Sequence, residues 1–281
     1  MARTNAPLSK KGIDVIRLHF SLLVFMTITS AIFPLNAIAI DEGDKLLIEI
    51  GSLSTNADTK LSVNGTGGNV GATIDLEEDI GYESGIQINR INLRYRFTDK
   101  HSLKYAFFQL DRTSNRVIDR NLTIGDTEFQ LNANITSDFD YSLHSISYGY
   151  SLRSDDDSRL DLLAGLYYIT TKFSIAESNL GKFESVSVSA PLPMVGLNFE
   201  KKLAGQWNLS TSATIFKLDF EEYNGTLYDL RIRVDYQFTD RFGLGLAYNW
   251  HKLDAGVKHE NAIADFNLTA NGAEITAVMR F

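Results

Sequence analysis

The chain has 281 residues, 44% of them hydrophobic, and a mean hydropathy of -0.11. That is too polar for a bundle of membrane helices but suits a barrel with a wet interior and an apolar exterior. The net charge of -8 and the lack of any long basic cluster argue against nucleic acid as a partner. The absence of cysteine excludes a disulfide framework, thiol catalysis, cysteine-based zinc sites and lipoprotein anchoring, and it suits passage through an oxidising compartment.

In chain order, Lys10, Lys11 and Arg17 precede the apolar run Phe20 to Met26, which continues with small residues to Leu35. Ala37-Ile38-Ala39 follows as a small-x-small cleavage site, and the acidic Asp41-Glu42-Gly43-Asp44 comes directly after it. The apolar run is short for a membrane span and contains Pro34, so residues 1 to 39 read as a cleaved signal peptide and residues 40 to 281 as one domain. No later stretch approaches the roughly 18 apolar residues of a transmembrane helix, so membrane residence has to be through strands.

From Lys45 the hydrophobic period is two. In Arg90 to Phe97, Ile91, Leu93, Tyr95 and Phe97 alternate with Arg90, Asn92, Arg94 and Arg96. Helical spacing would mix the two sets on every face. Ser145 to Leu152, Arg159 to Tyr168, Asp229 to Phe238, Phe242 to His251 and Glu274 to Phe281 alternate in the same way. Four tight polar connections separate them: Thr98-Asp99-Lys100, Arg153 to Ser158, Leu203 to Gln206 and Thr239-Asp240-Arg241. Longer connections, rich in Gly, Asn, Ser and Asp, are expected at Ser54 to Ser84, Ser114 to Glu128, Ala176 to Ser185, Glu221 to Gly225 and Gly256 to Asn271. Short turns on one side and long loops on the other predict an all-β, antiparallel, up-and-down transmembrane β-barrel of ten strands, with eight or twelve as alternatives. Gly71 to Gly81 fits an extra hairpin, an inward fold or a mobile lobe.

A β-sandwich also alternates, but its polar face meets water, whereas a small barrel turns that face inward and has to pair its charges. The expected lumen holds Glu49, Arg90, Arg94, Arg96, Lys104, Asp161, Glu200, Arg231, Arg233, Asp235, Glu274 and Arg280, a mixed-sign set. Burying such ions costs several kcal/mol each unless partners and hydrogen bonds are present. On the opposite faces lie large aromatics, including the repeated Tyr95-Arg96-Phe97-Thr98-Asp99 and Tyr236-Gln237-Phe238-Thr239-Asp240, which suit a headgroup-level girdle.

With Val278-Met279-Arg280-Phe281 ending an alternating strand, and with Pro191 to Leu197 and the Tyr-x-Phe-Thr-Asp hairpins, residues 40 to 281 resemble bacterial outer-membrane barrels of the small OmpA-type or porin-like kind. The resemblance implies Gram-negative outer-membrane localisation, contact with outer-membrane lipid, and periplasmic chaperones on the export route. It also makes Phe281 the signal by which the C-terminal strand meets the barrel assembly machinery. No cofactor is implied.

No residue set carries chemistry strongly. His251 shares a polar face with Asn249 near the outer end of a strand, but no serine stands in a nucleophile setting, so it reads as luminal filler. His144 reads as interfacial, His101 as a turn residue and His259 as a loop residue. Asp155-Asp156-Asp157 lacks the spaced oxygens of a calcium loop, and it reads, like Asp75 to Asp79, as a solvated acidic turn. Gly65, Gly67, Gly68 and Gly71 read as loop flexibility. The functional expectation is a non-enzymatic barrel with a structural or surface-interaction role and a charge-paired lumen. A narrow passive pore for small solutes or anions is the alternative, and an outer-membrane hydrolase of lipid or peptide a third reading.

Overall fold

The computed structural model describes residues 45–63, 73–124, 127–177, 179–220, 223–259 and 262–281. The expected signal peptide lies outside these residues, as do Gly65, Gly67, Gly68 and Gly71.

The described residues form thirteen strands and no helix: β1 (Leu46–Val63), β2 (Thr73–Asp75), β3 (Gly85–Arg96), β4 (His101–Val117), β5 (Leu122–Ile124), β6 (Thr127–Phe129), β7 (Asn134–Ser154), β8 (Ser158–Glu177), β9 (Lys182–Lys202), β10 (Trp207–Phe220), β11 (Tyr223–Gln237), β12 (Phe242–His259) and β13 (Ala262–Arg280). Ten of them form the wall, in the order β1, β3, β4, β7, β8, β9, β10, β11, β12, β13, and β13 pairs back onto β1 from Leu47↔Arg280 to Val63↔Ala264. Paired backbone bonds between Leu46 and Phe281, at 2.8 and 2.9 Å, finish that closure. A closed sheet has no open edge, and hydrocarbon tolerates none. The ten-strand expectation holds, and the four tight turns connect β3 to β4, β7 to β8, β9 to β10 and β11 to β12 at one end.

The loop expectations at the other end are corrected. Six wall strands run 18 to 21 residues, about twice the 9 to 11 a bilayer requires. Among the described residues most of Gly256 to Asn271 is strand, with Gly256 opposite Asp265, and strand pairing extends into the other two expected loops as far as Glu177↔Lys182 and Phe220↔Tyr223. His259 ends β12 and His101 begins β4, so neither is a loop or turn residue as expected.

These strands look like loops in sequence because their hydrophobic phase inverts partway along. On β7, Ser145, Ser147, Gly149 and Ser151 face inward while Ile146, Tyr148, Tyr150 and Leu152 face outward. Further out, on the same inward face, come Ile135, Phe139, Tyr141 and Leu143, with Thr136, Asp138, Asp140 and Ser142 outside. β1 changes at Gly51, from outward Ile48 and Ile50 to inward Leu53, Ala57 and Leu61. On β13 the outward Ile275 and Met279 give way to inward Phe266, Leu268 and Ala270.

The near half is therefore an apolar belt around a polar lumen. On β11 its outward residues run from Tyr228, stacked on Trp250 at 6.0 Å, to Phe238, which meets Tyr236 edge-on at 5.3 Å. Ten residues at about 3.3 Å each, tilted by about 40°, give roughly 25 Å along the barrel axis, the height of a membrane belt. The far half is polar outside and packed with apolar side chains inside, as in a water-soluble protein.

Two inserts complete that far core. β2 pairs with β1 (Leu61↔Ile74), and the turn after it buries Leu76, Ile80 and Tyr82 inside the barrel, so Gly71 to Gly81, where described, is an inward fold. The β5–β6 hairpin brings Leu122, Ile124 and Phe129 into the same core. Asp75 to Asp79 is not a solvated turn, contrary to expectation. Glu77 pairs with buried Arg112 and accepts the Thr59 N–H at 2.8 Å, and Asp79 takes Arg120 Nε at 2.7 Å. Arg112 also lies 5.0 Å from the ring centres of both Tyr82 and Phe139, a cation held over two aromatic faces.

Candidate functional site

The lumen of the near half is the candidate site, and alternation alone delivers its residues. On β11, Asp229, Arg231, Arg233 and Asp235 all point inward, and their neighbours on β12 and β13 are small or polar.

Six of the expected residues form one continuous network. Arg231 forks onto Glu274 through Nε (3.1 Å) and Nη2 (2.8 Å) while Nη1 reaches Glu49 at 2.6 Å. Arg233 bridges Glu49 and Asp235, the latter at 3.0 Å from Nε, and Arg280 reaches Asp235 at 3.2 Å. Amides fill the remaining positions: Asn249 donates to Glu274 at 2.8 Å, Asn92 to Glu49 at 3.3 Å, and Gln237 and Asn208 to Asp235 at 2.8 and 3.1 Å. Glu274 and Asp235 are fully buried. Charges there are tolerable because each carboxylate meets at least one guanidinium in good geometry.

Arg94, Arg96 and Glu200 form a second cluster, with Asn198 donating to Glu200 at 3.2 Å. Asp161 pairs with Arg159 at 2.8 Å, and Arg90 with Asp229 at 3.1 Å. Arg159 and Asp229 were not among the expected site residues. Both sit on the inward set of strands that were recognised, so parity could have found them, whereas pairing across 139 residues leaves no mark in the sequence. Lys104 faces the lumen as expected, but pairs with no carboxylate among the described residues. Glu200 and Asp161 are the acidic groups it feels.

His251 is buried and held on both nitrogens, by Asp229 Oδ2 at 3.2 Å on Nδ1 and by the Tyr141 hydroxyl at 2.8 Å on Nε2, with the Phe108 ring packed edge-on at 5.2 Å. It marks the level where charged lumen gives way to apolar core. His144 points outward, hydrogen-bonded to the Tyr105 hydroxyl at 3.0 Å and stacked near Phe107, as expected of an interfacial residue.

Between these clusters lies a cavity of about 100 Å³. Charged residues that include Arg94, Lys104 and Glu200 line it together with the small hydroxyl residues Ser147 and Ser212 and with apolar Leu163 and Met194. Such a space holds a few waters or one small polar group. Among the described residues no cluster of three or more His, Asp or Glu side chains has the geometry of a metal site. Asp155 is a turn residue, its carboxyl held below the usual range chiefly by the Ser158 hydroxyl at 2.8 Å and by the Ser158 amide at 2.7 Å.

Closure, belt and luminal ion pairs together decide the architecture. The fold is that of a bacterial outer-membrane β-barrel. The chain resembles the outer-membrane protease OmpT of Escherichia coli with a TM-score of 0.53 and 12% identity, covering 85% of this chain and 97% of that one. The translocator domain of the autotransporter NalP from Neisseria meningitidis gives 0.46 at 13% identity over 85% and 90%. Ail of Yersinia pestis, in complex with a heparin analogue, gives 0.32 at 15% over 82% and 98%. At such identities the likeness concerns the fold. A family described as "Protein of unknown function, DUF481" matches residues 142–271, from the middle of β7 to the middle of β13. Among curated proteins none matches.

Proposed function

We propose that this is a non-conducting, non-enzymatic barrel of the Gram-negative outer membrane, akin to the small OmpA-type barrels, whose work is done by the half that projects beyond the membrane. The observation that carries the reading is the double obstruction of the axis. Ion pairs cross the lumen in the near half, and the far half is filled by an apolar core in which Ile74, Leu76, Ile80 and Phe129 are 0 to 1% exposed. The far wall is long, paired on both sides over most of its perimeter and polar outside, which suits a rigid platform for surface contacts. In this reading Phe281 serves the assembly machinery and His251 ties Asp229 to the core.

A narrow anion path is the second reading. Eight inward cations (Arg90, Arg94, Arg96, Lys104, Arg159, Arg231, Arg233, Arg280) outnumber six carboxylates (Glu49, Asp161, Glu200, Asp229, Asp235, Glu274), and excess positive charge favours anions. Purified protein in planar bilayers separates the two. Electrical silence is expected, and a stable stepwise conductance overturns the proposal in favour of the pore.

A further inference from the structure

Among the described residues the backbone pairing of the far wall parts at two places. β3 and β4 pair from Arg90↔Phe108 to Arg96↔Ser102 and then separate, but the inward fold after β2 occupies that gap, with the Ser114 hydroxyl donating to the Ile80 carbonyl at 2.7 Å. β9 and β10 pair only from Asn208↔Lys202 to Ile215↔Val195. Beyond that point β9 keeps β8 alone and β10 keeps β11 alone.

The sequence supplies a cause. Pro191 and Pro193 share parity, so their nitrogens face the same neighbouring strand. The β8 register runs unbroken past Tyr168↔Pro191 and Leu166↔Pro193, so the missing donors face β10. The parting begins at belt height: Leu166 and Tyr168 are about half exposed among the belt residues, and Ile215 lies opposite the girdle residue Tyr228. The parting therefore starts at the level of the outer leaflet, bordered by Leu192, Pro193 and Met194 on one side and Phe216 and Leu218 on the other, and side-chain packing closes it in this structure, with Met194 and Phe216 only 5% and 4% exposed.

From this slit the register row Met194↔Gly165↔Ser147↔Lys104 runs along the inner face of the wall. All four face inward, and the two between Met194 and Lys104 are small. Three strand spacings, about 14 Å, separate the slit from the Lys104 backbone. Met194, Ser147 and Lys104 all line the cavity. Tyr167 of β8 reaches across the inner face of β9 to hydrogen-bond Thr214 of β10, joining the two wall halves at the inner mouth of the slit.

We propose that the parting of β9 and β10 is a lateral doorway for a free long-chain fatty acid from the outer leaflet, with its carboxylate paired to Lys104, its chain lying in the slit, and the Tyr167 to Thr214 contact as the latch. An apolar mouth continuous with the lipid belt and a luminal cation that pairs with no carboxylate among the described residues together select an anionic amphiphile. A cavity of about 100 Å³ accepts a carboxylate but not the headgroup of a phospholipid. Access from the side needs no open axis, so this inference goes beyond the closed-barrel reading and is compatible with it.

The test is palmitate titrated into the full-length protein in detergent, followed by calorimetry, with hexadecanol and phosphatidylglycerol as comparison probes. One palmitate per barrel is expected, at least 10-fold tighter than hexadecanol, with no binding of phosphatidylglycerol. Lys104→Gln should abolish the preference for the acid, and Tyr167→Phe should speed association several-fold. Because the chain has no cysteine, a Leu192→Cys, Leu218→Cys pair bridged by a short bis-maleimide should bind palmitate at least 10-fold more weakly than the same pair left unbridged. Absence of palmitate binding to protein that shows the heat-modifiable gel mobility of a folded barrel overturns the proposal. Equal affinity in Lys104→Gln or in the bridged pair overturns it as well.

Discussion

The near and far halves of this barrel are made by the same ten strands with the same alternation, yet they solve opposite solvation problems. Around Ile146 to Leu152 the apolar set faces out and serine and glycine face in. Seven residues before Ile146 on the same strand, Phe139 is 1% exposed and faces in, between outward Asp138 and Asp140. The side-chain period is set by backbone geometry and does not change. What changes is the medium outside, and with it which face has to be greasy. The near half is held by paired ions inside and lipid outside, the far half by a packed core inside and water outside.

The comparison can be broken first at the luminal ion pairs. Glu274→Ala leaves Arg231 buried without its fork and should cost about 3 to 5 kcal/mol, read as a lowered urea midpoint of the refolding barrel in lipid vesicles. An unchanged midpoint would mean the near lumen is hydrated well enough to dispense with the pair. Next in size is the outer face. Leu246→Arg places a charge in the middle of the belt and should cost about 2 to 4 kcal/mol in vesicles. Asn56→Arg, equally outward on the far half, should stay within about 0.5 kcal/mol. Equal costs at the two positions would erase the distinction between the halves. Smaller still is the inward fold: Arg112→Met removes the cation that holds Glu77 and the Thr59 hydroxyl, and should cost about 1 to 3 kcal/mol. Limited proteolysis should then cut within residues 73 to 84 at a rate well above that of the parent protein. Resistance equal to the parent would show that apolar packing of Ile74, Leu76 and Ile80 alone secures the segment.

Where the sequence was legible follows from the same contrast. Alternation with an unmistakable charged set, as in Asp229 to Phe238 or Arg90 to Phe97, revealed strand, parity and luminal face at once. In Leu53-Ser54-Thr55-Asn56-Ala57-Asp58-Thr59-Lys60-Leu61 the period is equally strict, but the inward set is diluted by threonine and the outward set is short and polar, the composition of a loop. Phe266, Leu268 and Ala270, set between Asn267, Thr269 and Asn271, were hidden for the same reason. The acidic Asp75 to Asp79 read as solvated because its partners Arg112 and Arg120 lie some forty residues away. Parity assigns Lys104 to the lumen, but that it pairs with no carboxylate among the described residues depends on Asp161 being taken by Arg159 and Glu200 by Arg94.

The inversion of polarity along single strands is tested most directly by site-directed spin labelling in a chain with no native cysteine. Single cysteines at Leu246 and Ile275 in the belt and at Asn56 and Asp138 in the far half would be labelled in the folded protein in liposomes. Relaxation by dissolved oxygen should then be compared with relaxation by a water-soluble nickel chelate. The belt labels should respond mainly to oxygen and the far labels mainly to nickel. Labels at Asn56 and Asp138 that behave like those at Leu246 and Ile275 would contradict the two-solvent account.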